Sequence, residues 1–167
     1  HAQDPLTGHG SVTIDRSPAI TCMPGWPAWL AGIYGLFGVA PRAAMLANAG
    51  LSAATAALVV HLGRQLFGRS SLGAIAGLLY AFWPGVVYFS ATLFNETLFS
   101  LLLVAALDLW VMAAAATRGR TPLFAGAGLL LGASALVKAE PLLLVLPLAF
   151  HLWPVRRSRG DFLRHAG

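Results

Sequence analysis

Charged residues are scarce in this 167-residue sequence, and cysteine is nearly absent. Asp, Glu, Lys and Arg together make up 10% of the chain, whereas a soluble domain carries about 25%. A surface exposed to water on all sides therefore cannot be built from this sequence. The single cysteine, Cys22, excludes an internal disulfide framework and disfavours a cysteine-based metal site. Because 57% of the residues are hydrophobic and the mean hydropathy is +0.73, we expect a membrane protein.

Apolar runs separated by polar turns predict an all-α, polytopic transmembrane bundle with about five membrane segments. Residues 1–23 carry scattered Asp, Pro and Gly without apolar periodicity, which is typical of a solvated outer loop. The transmembrane region extends over residues 42–153, and residues 154–167 form a basic loop. Within that region, polar or turn-forming residues divide the apolar sequence into 42–62, 72–83 or 72–89, 97–116, 123–137 and 142–153.

A Trp-rich segment, residues 24–37, is predicted to be a juxtamembrane helix. Its aromatic and large apolar residues recur at helical spacing: Trp26, Trp29, Leu30, Ile33, Tyr34 and Phe37. About eleven residues at about 1.5 Å each span only some 16 Å, against roughly 30 Å of hydrocarbon. The helix therefore cannot cross a bilayer. It either lies along the membrane surface or packs inside the membrane domain.

The distribution of positive charge predicts the orientation of the bundle. If successive turns alternate sides, only Arg16, Arg42 and Lys138 lie on one side. Eight arginines then share the other side: Arg64, Arg69, Arg118, Arg120, Arg156, Arg157, Arg159 and Arg164. Because short cytoplasmic loops carry the excess of positive charge, the eight arginines are assigned to the cytoplasm. Residues 1–23, residues 84–96 and Lys138 are then outside.

The outer side gathers two cations and several carboxylates at helix ends. Arg42 and Lys138 suit phosphate binding, since Arg forms a planar fork and Lys a compact point charge. Glu96 and Glu140, together with Asp15 of the loop, could orient a hydroxyl group or act as a base. Such a set fits a lipid-linked phosphate. Structural interpretations stay open, because an arginine can snorkel to lipid phosphates and Asn95 with Glu96 can cap a helix.

Asp108 lies about midway along the third segment, where an ionised carboxylate is costly. A structural hydrogen bond is the favoured interpretation, because no second mid-membrane acid accompanies it. A proton or ion path is the alternative. His61 and His151 lie toward the cytoplasmic helix ends and are interpreted as interfacial residues rather than ligands.

A series of motifs runs through nearly the whole chain in a defined order. They are Gly8-His9-Gly10, residues 23–31, Leu36-Phe37-Gly38, Arg42, residues 64–68, Pro84, Asn95-Glu96, residues 126–133 and Leu136-Val137-Lys138. Their order and spacing resemble the bacterial GT-C glycosyltransferases. These are polyprenyl-phosphate-sugar-dependent enzymes related to protein O-mannosyltransferases and lipid A aminoarabinose transferases.

The resemblance implies a glycosyltransferase of the bacterial inner membrane that uses a polyprenyl-phosphate-linked sugar. No nucleic-acid partner is expected, because the uneven distribution of the formal charge of +5 indicates membrane topology instead. The resemblance also implies that Arg42 and Lys138 lie at the donor phosphate and that Glu96 is a candidate catalytic residue. Glu140, Trp26 and Tyr88 support the site. No cofactor is indicated, and a divalent metal is left open.

One departure from the family pattern concerns the principal catalytic Asp, which lies in the first outer loop after a transmembrane helix. Neither Asp4 nor Asp15 has that placement. We therefore expect a fragment that is inactive alone. The alternatives are a transporter or flippase fragment with Asp108 in its pathway, and a non-catalytic remnant.

Overall fold

The computed structural model describes residues 23–144, 146–148 and 150. Six helices are bounded in this part: α1 Gly25–Phe37, α2 Pro41–Phe67, α3 Ser70–Phe82, α4 Pro84–Ser90, α5 Glu96–Ala115 and α6 Arg120–Val137. Residues 142–144, 146–148 and 150 are also helical, and the described residues include no strand. The all-α prediction is confirmed. Predictions for the outer loop before Met23, including Gly8-His9-Gly10 and Asp15, lie outside the described residues, as do those for His151 and the basic loop 154–167.

Three helices, α2, α5 and α6, are long and apolar enough to cross a membrane, with hydropathies of 1.7, 2.2 and 1.4. Helices α3 and α4 pass the same test only as a pair, and they are bent by 58° at Trp83. The chain is therefore a multi-pass membrane protein with three or four membrane segments in its described part. This agrees roughly with the predicted five, of which the last, 142–153, is only partly described.

Glycine and proline set the helix boundaries that differ from prediction. Helix α2 continues to Phe67, beyond the predicted end at residue 62, until Gly68 adopts a left-handed conformation (φ 65°) and donates its N–H to the Arg64 carbonyl. The second predicted segment breaks because the residue before a proline is held extended. Trp83, which precedes Pro84, has φ −64° and ψ 122°.

Close glycine contacts pack α3 antiparallel against α2. A Cβ on Gly63 would lie 2.8 Å from the Cα of Gly73, and a Cβ on Gly77 would collide with the Val60 side chain. Gly73 and Gly77 are four residues apart, and such spacing predicts close helix packing. Gly128 has the same spacing from the next glycine of α6, yet a Cβ there would meet no described atom within 4 Å.

Helices α2 and α5 run parallel. The Asn48 amide donates to the Thr92 carbonyl at 2.9 Å near their starts, and His61 contacts Asp108 farther along. The two helices therefore begin at the same end of the bundle, where α3 and α6 finish; we call this the Lys138 end. The connections carrying Arg64, Arg69, Arg118 and Arg120 lie at the opposite, arginine end. The described connections alternate between the two ends as predicted, and the assignment of the arginine end to the cytoplasm stays a prediction.

Helix α1 packs against α6 and α2 at the Lys138 end. Gly25 lets it approach closely, because a Cβ there would lie 2.8 Å from the Val137 side chain and 2.9 Å from the Leu136 backbone. Ile33 is buried, while Trp26 and Trp29 are half-buried. Its 13 residues span about 20 Å, too short for a bilayer. The predicted short helix is formed, and its position along the membrane surface stays a prediction.

Candidate functional site

Lys138 is the centre of a charged cluster at the Lys138 end. Its ammonium nitrogen lies 3.0 Å from Glu96 Oε1 and 3.3 Å from Glu140 Oε1. The same nitrogen lies 5.4 Å from the centre of the Phe99 ring, within the range of a cation–π contact. The Glu96 side chain is 29% exposed and that of Glu140 is 63% exposed. Glu96 therefore holds the ammonium from the more buried side and Glu140 from the more open side.

The electrostatics of the cluster keep Lys138 cationic. The hydrogen bond with Glu96 is the largest influence and raises the pKa of Lys138 above its usual value. Partial burial opposes this effect, and Glu140 raises the pKa further. Glu96 is itself the first residue of α5, where the helix dipole favours a carboxylate. At neutral pH Lys138 is therefore protonated, and an anion that binds it has to compete with the two carboxylates for the ammonium.

Asn95 fixes the start of α5 to the end of α6. Its side-chain amide donates to the Val137 carbonyl at 3.3 Å, one residue before Lys138. Asn95 occupies the N-cap position of α5, as the sequence suggested, but its side chain makes no capping hydrogen bond. The amide has instead bound the carbonyl of a neighbouring helix. This contact brings Glu96 and Lys138 together.

A cavity of about 360 Å³ opens beside Lys138. It lies between the start of α1 and the facing ends of α5 and α6, and its lining residues are Met23, Trp26, Pro27, Asn95, Val137, Lys138 and Ala139. Ligand sites are commonly concave, mostly apolar and furnished with a few polar groups. The wall of this cavity has that character, with one ammonium and one amide among apolar side chains.

Two residues predicted for the site lie elsewhere in the structure. Arg42 is exposed on the first turn of α2, does not line the cavity, and makes no ion pair within the described part of the chain. The buried face of α2 carries Ala44 and Asn48, and two residues correspond to about 200° of rotation on a helix. Tyr88 of α4 is also exposed and packs edge-on against Phe89, with ring centres 5.5 Å apart. Arg42 therefore does not share this cavity, and its assignment to the donor phosphate stays a prediction. Trp26 and Lys138 line the cavity, and Glu96 and Glu140 contact Lys138 without lining it.

A second polar cluster joins α2 to α5 toward the arginine end. His61 Nδ1 lies 2.9 Å from each carboxylate oxygen of Asp108, and the Gln65 amide donates to Oδ1 at 2.7 Å. Asp108 is 5% exposed. These contacts agree with the structural interpretation of Asp108. The His61 side chain is 51% exposed, in agreement with its interpretation as an interfacial residue. Its hydrogen bond to Asp108 was not predicted, and the signal for it was the spacing of His61 and Gln65, four residues apart on one helix face.

The described residues include no group of three or more His, Cys, Asp or Glu side chains that could hold a metal ion. Residues 21–165 match the family model of the dolichyl-phosphate-mannose-protein mannosyltransferases. No curated protein and no solved structure matches the chain. The family match includes all six bounded helices and every residue that lines the cavity. The chain therefore belongs to the dolichyl-phosphate-mannose-protein mannosyltransferase family of GT-C membrane glycosyltransferases.

Proposed function

We propose that this glycosyltransferase moves a sugar from a polyprenyl-phosphate donor to an acceptor hydroxyl at the Lys138 end, facing the outer side of a bacterial inner membrane. One observation carries the proposal. A lysine that is held by Glu96 borders an open cavity at the ends of membrane-spanning helices. A donor whose isoprenoid tail stays in the bilayer brings its phosphate to this depth. The family description, which names a dolichyl-phosphate-linked mannose, supports the same donor class.

The reaction needs positive charge where the donor phosphate departs. The bond between the sugar C1 and the phosphate oxygen breaks, and the acceptor oxygen bonds to C1. The hydroxyl proton passes to a carboxylate, and the polyprenyl phosphate leaves with one more negative charge. A preorganised ammonium beside that phosphate stabilises the developing charge, which is the role we assign to Lys138. Glu96 is the candidate catalytic carboxylate.

Glu140 is the carboxylate that a donor phosphate would displace. Exposed ion pairs contribute only about 0.2–1 kcal/mol, and the Glu140 side chain is the more exposed of the two partners of Lys138. Glu96 would stay in place and keep the ammonium aimed at the cavity. Arg42 remains a proposed second cation for the donor phosphate. Its support is its place on the first turn of α2, at the Lys138 end, together with the family resemblance.

A transport pathway through Asp108 has less support. Such a pathway requires substrate contacts in the interior of the bundle, whereas Asp108 already binds His61 and Gln65. The cavity beside Lys138 lies at the helix ends, where a transferase needs it.

Binding of radiolabelled polyprenyl phosphate to the full chain in lipid nanodiscs tests the proposal. The expected effect of Lys138→Met is a loss of affinity of roughly tenfold or more, because a charge-assisted hydrogen bond contributes about 1.5–3 kcal/mol. Arg64→Met is the matched control, since it removes a cation at the arginine end and should leave binding unchanged. Equal affinity in wild-type protein and Lys138→Met would overturn the proposal.

A further inference from the structure

The cavity beside Lys138 has an aromatic wall whose position is fixed by backbone contacts. Trp26 follows Gly25, the residue at which α1 touches the end of α6 closely enough to exclude a Cβ atom. Lys138 is the residue that directly follows α6. The indole of Trp26 and the ammonium of Lys138 therefore belong to residues at the contact between α1 and α6. This contact keeps the two residues close to each other.

Asn95 adds a hydrogen-bond acceptor to the same cavity. Its amide nitrogen is engaged by the Val137 carbonyl, which fixes the orientation of the side chain. Its amide oxygen makes no hydrogen bond to another described residue, and it is not among the buried polar atoms that lack a partner. Asn95 lines the cavity, and its amide oxygen is the acceptor that we assign to a donor entering it.

These three groups match the chemistry of a sugar phosphate. A pyranose ring has one face rich in C–H groups, which packs well on the large apolar surface of an indole. Its hydroxyl groups can donate to an amide oxygen, and its phosphate can bind an ammonium. An acyl chain would contact the indole but would offer no hydrogen-bond donor to the Asn95 oxygen and no anion to Lys138. Inorganic phosphate would use only Lys138.

We propose that Trp26 and Asn95 form the subsite for the sugar ring of the donor, with the ring lying on the indole and a ring hydroxyl donating to the Asn95 amide oxygen. The inference rests on the proposed function, since it takes the donor phosphate to lie at Lys138. It assigns specificity for the sugar to the start of α1 and the start of α5. The acceptor then approaches from the side of the cavity not covered by Trp26.

Titration of the full chain in nanodiscs with mannose 1-phosphate, and separately with inorganic phosphate, tests the subsite. The wild-type protein should bind the sugar phosphate about fivefold or more tightly than phosphate, in line with the energy of an aromatic contact. Saturation-transfer NMR should show magnetisation passing from the protein to the C–H protons of one ring face. Trp26→Leu should remove the preference for the sugar phosphate, and Trp26→Tyr should retain part of it. Trp83→Leu is the matched control, since Trp83 is 65% exposed and does not line the cavity.

The outcomes separate this inference from the proposed function. If both ligands bind equally well and both depend on Lys138, the phosphate site stands and the sugar subsite is overturned. If the sugar phosphate depends on Trp26 while neither ligand depends on Lys138, the phosphate site is overturned, and with it the assignment of this subsite to the donor. If Trp26→Leu fails to fold, the subsite is still tested by the wild-type protein, through the ratio of its affinities for mannose 1-phosphate and inorganic phosphate and through the saturation-transfer pattern. Equal affinities, or transfer spread evenly over the sugar, would refute the subsite.

Discussion

The hydrogen-bonded pair of His61 and Asp108 gives a quantitative prediction about how α2 is held to α5. Three short contacts converge on the buried Asp108 carboxylate, two from His61 Nδ1 at 2.9 Å and one from Gln65 at 2.7 Å. His61→Leu removes two of the three contacts. It leaves a carboxylate in the bundle with one neutral amide as its remaining partner.

The expected loss in the free energy of unfolding caused by His61→Leu lies between two known limits. Hydrogen bonds between membrane helices contribute about 0.6 kcal/mol on average and at most about 1.7. Breaking a fully buried ion pair costs roughly 3–5 kcal/mol. The upper range does not apply, because the His61 side chain is 51% exposed and Gln65 still binds Asp108. We therefore expect His61→Leu to lower the free energy of unfolding by about 1–2 kcal/mol.

A double-mutant cycle measures this coupling directly. The unfolding free energy of wild-type protein, His61→Leu, Asp108→Leu and the double variant would be measured in mixed micelles of increasing denaturing detergent. The double variant should be more stable than the sum of the single losses predicts, by about 1 kcal/mol, because it leaves no unpaired buried charge. Strictly additive losses would show that the pair does not hold the two helices together.

Further predictions concern packing and the lysine. Gly77→Ala should destabilise the chain by about 1–3 kcal/mol in the same assay, because the new Cβ collides with α2; Gly128→Ala, which meets no described atom, should be neutral or stabilising. Glu96→Gln should lower the pKa of Lys138, measured by ¹³C NMR of the methylated side chain, and Glu140→Gln should lower it less. Because the pKa is higher in the folded state, the stability from this ion pair is present at neutral pH and is lost as the pH rises through that value.

Most of the helices could be predicted from sequence because length and backbone chemistry determine them, although the end of α2 at Phe67 was missed. Apolar runs of sufficient length marked the segments that became α2, α5 and α6, and Pro84 marked the break at Trp83. The pairing of Glu96 with Lys138 followed from alternation, since turns that alternate sides bring the start of α5 and the end of α6 together. None of these predictions required knowing how a helix is rotated about its axis.

The sequence could not predict how each helix is rotated about its own axis. A membrane helix is apolar on every face, so the hydrophobic pattern does not mark the side that meets its neighbours. The sequence therefore assigned Arg42 to the Lys138 end of the bundle, but it could not show that Arg42 lies on an exposed side of α2 away from the cavity. Asn95 was expected to cap α5 with its side chain. The sequence could not show that this side chain binds a carbonyl of another helix instead. Small residues indicate the contact face of a helix only where a second helix packs closely against them, as α2 does at Gly77.

The most direct test of the central claim uses the fact that Lys138 is the only lysine in the sequence. Reductive ¹³C-methylation keeps its positive charge and gives one side-chain signal. The full chain in nanodiscs would then be titrated with polyprenyl phosphate, and with the uncharged polyprenol as the control. A donor-phosphate site at Lys138 predicts a saturable shift of this signal with polyprenyl phosphate and none with polyprenol. An unchanged lysine signal under saturating polyprenyl phosphate would contradict it.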